Sequence, residues 1–200
     1  MNGATQDFQQ SNLDDTLRAR GVTTSAPIKK VYGLEGGFGG PLKRDKLWFY
    51  TAHRLSGSQS YAPANYYNKT HGTMFYTPDL DRQAFTDFYQ EDHSVRLTWQ
   101  AASKHKLTFS SSYQHSCQCN FYVQYGTNAP DAAVDYTYWP MVLTQTTWSF
   151  PATNRLLFEV GASYLHNMTA PRQETGVLPT DISITELSRN YQYITCLIVS

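Results

Sequence analysis

Gly36-Gly-Phe-Gly-Gly-Pro-Leu-Lys-Arg-Asp-Lys-Leu-Trp-Phe-Tyr50 decides how this chain is read. Just before and within it, Tyr32, Leu34 and Phe38 alternate with Val31, Gly33, Glu35, Gly37 and Gly39. A period of two belongs to a strand with one greasy face and one small or polar face. Pro41 interrupts the ladder, and Lys43, Arg44, Asp45 and Lys46 supply a short charged connection. Leu47-Trp-Phe-Tyr50 then restarts the chain in the opposite direction.

Working outward, the same hairpin unit recurs. The first strand is predicted over 28–40 and the second over 47–55, with Leu47, Phe49, Thr51 and Leu55 facing one way and Trp48, Tyr50, Ala52 and Arg54 the other. A third strand over 93–100 sets Val95, Leu97 and Trp99 against Ser94, Arg96, Thr98 and Gln100; a turn at 101–105 leads to a fourth over 106–114 with Leu107, Phe109 and Tyr113 on its apolar side. A fifth strand over 141–148 turns at 149–154 into a sixth over 155–165. There Leu156, Phe158, Val160, Ala162 and Tyr164 oppose Leu157, Glu159, Gly161 and Ser163. A seventh strand has a weak place in 181–195, and a short helix fits before Gly21. Between the hairpins, 56–92 and 115–135 read as long polar loops rich in tyrosine.

Composition narrows the class. Charged residues are only 16% while aromatics reach 14%, and mean hydropathy is −0.50. No apolar run is long enough for a membrane helix, but a membrane barrel needs only alternate residues to be apolar. Net charge is zero, so no basic surface points to nucleic acid. The first residues carry no leader pattern, and an exported protein with this beginning takes its signal from upstream.

The short turns near 43, 103 and 152 alternate with long connections near 75, 125 and 175. Outer-membrane barrels have this asymmetry. Trp48, Trp99 and Trp148 each lie near a short turn, as in an aromatic girdle at one membrane interface. The predicted fold is therefore all-β, an antiparallel up-and-down meander of six to seven strands forming an incomplete segment of a large outer-membrane β-barrel. Fewer than about eight strands cannot close a barrel, and an open edge in lipid is costly. The rival is a soluble β-sandwich, which would bury Leu156, Phe158, Val160 and Tyr164 beneath a second layer.

The residues resemble the barrel of Oar-like TonB-dependent outer-membrane receptors. The likeness rests on Gly39-Gly-Pro-Leu-Lys-Arg-Asp-Lys-Leu-Trp-Phe49, on Arg96-Leu-Thr-Trp-Gln100 with Lys104-His-Lys-Leu107, and on Pro151-Ala-Thr-Asn-Arg-Leu-Leu-Phe-Glu159. Pro78-Asp-Leu80 and the Cys117/Cys119 pair resemble loop features of the same proteins. The resemblance implies a bacterial outer-membrane location, a barrel of about 22 strands enclosing a plug, and energy supplied by TonB from the inner membrane. On that plan 1–27 is the exit from the plug and 28–195 a set of barrel hairpins. Partners are then outer-membrane lipid, the plug and TonB through further parts of a parent chain, and an unidentified substrate.

Arg96 and Glu159 are expected to face the lumen, because a charge in the middle of a strand cannot face lipid cheaply; Arg54 comes late in its strand, where that cost leaves the register open, and the inward side is favoured for it. Tyr61, Tyr66, Tyr67, Tyr76, Tyr122 and Tyr125 would give the outer loops rigid rings for ligand contact, or would simply pack the loops together. No catalytic constellation, cofactor motif or structural metal site is read, and the chain is not expected to be an enzyme. His115 beside Cys117 and Cys119 could hold a metal, though a loop disulfide or two loop thiols is the simpler reading. Cys196 leaves the cysteine count odd. A soluble all-β module that binds carbohydrate is the alternative function, with a hydrolase well behind it.

Overall fold

A computed structural model describes residues 2–5, 7, 14–19, 27–174, 176–178 and 180–194. Its elements are β1 (Asn2–Thr5), α1 (Asp15–Ala19), β2 (Ile28–Lys43), β3 (Leu47–Asn68), β4 (Pro78–Ala102), β5 (His105–Phe121), β6 (Val134–Thr153), β7 (Leu156–Gln173), β8 (Ile184–Glu186) and β9 (Tyr191–Tyr193). β1 to β7 form one antiparallel sheet in simple sequence order, a meander not closed into a barrel. The all-β expectation is met. Gly21, the linker before Pro27 and Cys196 lie outside the described residues.

The short turns fall at 44–46, 103–104 and 154–155, all at one end of the sheet. At the first, Lys46 N–H bonds the Lys43 carbonyl at 3.1 Å, and Asp45 takes the left-handed conformation (φ 59°) that Asp tolerates better than most residues. At the opposite end the strands run much further than the periodicity predicted. The stretch 56–92, read as a loop, is mostly ladder: Ser56 pairs with Gln90 and Tyr61 with Phe85, and pairing extends to Asn68 and Pro78. β3 and β4 have 22 and 25 residues. At ~3.4 Å per residue that is about 75 and 85 Å, against the 9–11 residues that cross a bilayer.

Register fixes the faces, since residues paired across an antiparallel ladder share a side. One row crosses five strands through Leu47, Trp99, Leu107, Trp148 and Val160. Above it stands Phe49, Leu97, Phe109, Thr146 and Ala162, and above that Phe38, Thr51, Val95, Ser111, Thr144 and Tyr164. The next row changes character: His53, His93, Tyr113, Val142 and His166. Trp48 departs from the expected girdle. It pairs with Pro41 and Thr98 and so stands on the opposite, polar face, leaving Trp99 and Trp148 as the aromatic pair of the first row.

Neither a second sheet nor a helix covers the apolar rows among the described residues. β7 is exposed on both sides along 156–165, with Val160 and Tyr164 each 62% exposed. The buried hydrophobic residues gather instead at the far end, in Ala62, Ala84, Val123 and Ala133 and in Ala129, Val177, Tyr193 and Ile194. That end is a folded cap. It is built from the strand extensions, two 3-10 turns at Val123–Tyr125 and Pro130–Ala132, and the small hairpin β8–β9. The strand predicted for 181–195 is this hairpin, which packs into the cap rather than extending the main sheet.

Candidate functional site

On the polar face, Arg54, Arg96 and Glu159 share one side of the sheet, as their parity required. Arg54 Nε lies 3.2 Å from Glu35 Oε1 and is paired in register with Asp92. Arg96 stands between Tyr50 and Ser110. Glu159 ends a row that runs from Gln100 through Lys106 and Ser149. Thr108, Ser110, Gln145, Thr147 and Ser163 border a shallow cleft beside Arg96, while Trp48, Tyr50, Lys106, Leu143, Leu157 and Leu165 stand on the same face. Such a wall offers many weak hydrogen bonds and few fixed charges.

Two of the glycines of 36–40, Gly37 and Gly39, have a local explanation. A Cβ on Gly39 would come within 2.7 Å of the Phe49 carbonyl oxygen and 2.8 Å of the Tyr50 ring. Their role is to admit Tyr50 across the β2–β3 ladder.

The cap is organised around two buried polar side chains, Asn65 and Asp131. Asn65 Nδ2 donates to the carbonyls of Val123 (2.9 Å) and Asn128 (2.7 Å), while its Oδ1 accepts from the Tyr191 hydroxyl at 2.8 Å. One amide thus ties three separate segments together. Asp131 Oδ2 lies 3.4 Å from His71 Nδ1, and His71 Nε2 lies 3.1 Å from the Gly176 carbonyl. Neither Asn65 nor Asp131 was singled out from sequence. The one available signal was the run Ala129-Pro-Asp-Ala-Ala-Val134, small and apolar inside a polar stretch.

Most of the six loop tyrosines are used inside the cap. Tyr76 donates to the Tyr66 carbonyl at 2.9 Å and packs against Tyr191 and Tyr193, with ring centroids 4.9 and 5.8 Å away. Tyr122 meets the Tyr136 hydroxyl at 3.2 Å, and Tyr61 lies beneath Lys29. Tyr67 carries the Arg82 guanidinium 4.5 Å above its ring, and burial pushes its phenol above the ordinary range. Tyr125 is the open one, at 62% exposure. A recess of about 330 Å³ on the cap is lined by Tyr67, Asn68, His71, Arg82, Asp131 and Glu174, so it presents donors and acceptors of both signs beside one aromatic ring.

Cys117 and Cys119 form a disulfide with Cα atoms 5.4 Å apart. Their sulfurs and the Asp135 carboxylate lie within 4.8 Å of one another, but sulfur ligates metals as thiolate. His115 is engaged elsewhere, 3.5 Å from the Tyr89 hydroxyl and 3.9 Å from Glu91. No family model, curated protein or solved structure matches the chain.

Proposed function

We propose that this chain is barrel wall from a TonB-dependent outer-membrane receptor, serving the passage of a large or scarce substrate across a bacterial outer membrane. The observation that carries this reading is the uncovered row Leu47, Trp99, Leu107, Trp148 and Val160, continuous over five strands, with one more largely apolar row above it and then a row half apolar and half Thr or Ser. An apolar face of that breadth in water is an aggregation hazard, whereas against hydrocarbon it is the stable arrangement. The polar reverse, carrying Arg54, Arg96 and Glu159, suits a hydrated lumen or a plug surface. The long extensions and the cap suit the extracellular side, where exposed Tyr125 and the Tyr67–Arg82 recess are open to a ligand. The plug and the TonB system enter through the parent receptor.

The test uses variants retaining only Trp48, only Trp99 or only Trp148, reconstituted in vesicles whose acyl chains carry bromine quenchers. Trp99 and Trp148 should be quenched strongly and Trp48, on the reverse face, weakly. Equal quenching of all three, or recovery of a folded monomer without detergent, would sink the membrane reading and favour a soluble binding module.

A further inference from the structure

We propose that His53 and His93 form a binding site for a divalent transition-metal ion on the edge of the apolar face. The two residues are directly opposed across the β3–β4 ladder, and their Nδ1 atoms approach to 2.9 Å. Facing imidazole nitrogens on a rigid ladder are a preorganised chelate, because the backbone has already fixed both Cβ positions. Zn–N bonds of 2.0–2.1 Å at a tetrahedral centre place two ligand nitrogens ~3.3 Å apart, so a small rotation of either ring admits the ion.

The surroundings favour it. Glu91 stands two residues before His93, hence on the same face, and helps line a hollow with Leu34, Gly36, Leu55 and the two imidazoles. Its Oε2 lies 3.9 Å from His115 Nδ1, so the imidazoles of His53 and His93 are the protein ligands and water completes the coordination. Gly36 is opposite His53 on the other flank, and a Cβ there would meet nothing within 4 Å, which leaves room for the ion's remaining waters. A pair of imidazole nitrogens suits Zn²⁺, Ni²⁺ and above all Cu²⁺. The site needs only the β3–β4 hairpin, so it stands or falls separately from the membrane reading.

Without an ion the facing nitrogens share a proton in a hydrogen bond, and the experiment separates that state from the metal-bound one. Cu²⁺ alone is titrated into the full chain, in detergent or buffer as the protein requires, and followed by electron paramagnetic resonance. One ion per chain with two nitrogen donors is expected. His53→Gln and His93→Gln should each weaken binding at least about tenfold, the lower bound of what losing even an outer-shell partner costs. His166→Gln, on the same row but three strands from His93, should bind as the parent does. Absence of a saturable site, or equal binding by the His53 and His93 variants and the parent, overturns the proposal. A second measurement needs no variant. Zn²⁺ should protect His53 and His93, but not His166, from diethyl pyrocarbonate, as read by mass spectrometry; equal modification with and without Zn²⁺ refutes the site.

Discussion

Phe49 and Ala62 lie on the same strand, yet they belong to opposite worlds. Around Phe49 the body of the sheet displays large side chains, among them Trp99 at 49% and Phe158 at 48% exposure, with no protein layer above them among the described residues. Around Ala62, the cap buries small ones: Ala62, Ala84, Val123 and Ala133 are each within 2% of complete burial. A globular domain does the reverse, reserving its bulky residues for the core. The contrast teaches that the two ends answer to different surroundings. On the proposed reading, the body relies on hydrocarbon to cover its face. The cap makes its own interior from close backbone approach and polar ties such as Asn65.

The sharpest way to break that contrast is a charge placed on each face of the body in turn. Phe109→Arg, in the middle of the apolar rows, should cost about 2–4 kcal/mol in vesicles. Ser110→Arg, next in sequence but on the reverse face beside Arg96, should cost far less. Urea titration of the reconstituted protein measures both. Similar small costs would mean that the apolar rows face water.

The cap is tested through its hub. Asn65→Ala strips the Val123 and Asn128 carbonyls and the Tyr191 hydroxyl of their common partner in a buried setting. Leaving such groups unsatisfied should cost the cap about 2–3 kcal/mol. Hydrogen exchange should quicken around residues 123–133 and 184–193 while amides of 93–99 keep their protection. If the body loosens in step, the two regions are one cooperative unit and the contrast is false.

A third effect falls within the body. Gly39→Ala drives a methyl into the Phe49 carbonyl and the Tyr50 ring and should cost about 1–2 kcal/mol, as overpacking does. Gly40→Ala meets nothing within 4 Å and should leave the urea midpoint nearly unmoved. Equal effects would show that Tyr50 does not sit across Gly39.

These tests also mark where the sequence was legible. Period two made both faces readable in the strands at 28–40, 93–100, 106–114 and 155–165, including the shared side of Arg96 and Glu159, while Arg54 near the end of its strand was assigned to that side with the register still open. The strand extensions were not readable, because 56–92 is dense in Tyr, Asn, Ser and Asp with Pro63 among them, and such composition mimics a loop. A ladder pairs backbone groups, so it tolerates that composition once the adjoining register is set. The cap was hidden for a related reason: its core is alanine, valine and one asparagine, with no apolar period to announce burial. The girdle grouped Trp48 with Trp99 and Trp148 by nearness to a turn, which gives height along a strand but not the side a ring takes, although alternation already put Trp48 on the side of Arg54, where it stands. The His53–His93 pair required register, which links positions forty residues apart.

The smallest expected effect is the most specific to the cap. Burial pushes the Tyr191 phenol far above its ordinary value and raises that of Tyr76 as well. A phenol becomes charged when it loses its proton, so a raised value in the folded cap means that folding favours the neutral form. That contribution is complete below about pH 10, where unfolded tyrosine titrates, and is lost as the pH climbs further. In alkali the cap should therefore open before the body, with phenolate absorbance from Tyr191 appearing only as exchange protection at 123–133 disappears. Tyr191→Phe removes both the titration and the bond to Asn65, and should cost about 1 kcal/mol at neutral pH. Its cap should then hold to higher pH than that of the parent. Ionisation of Tyr191 near pH 10 with the cap still protected would mean that water already reaches its interior, and the division between a self-sufficient cap and a medium-dependent body would no longer stand.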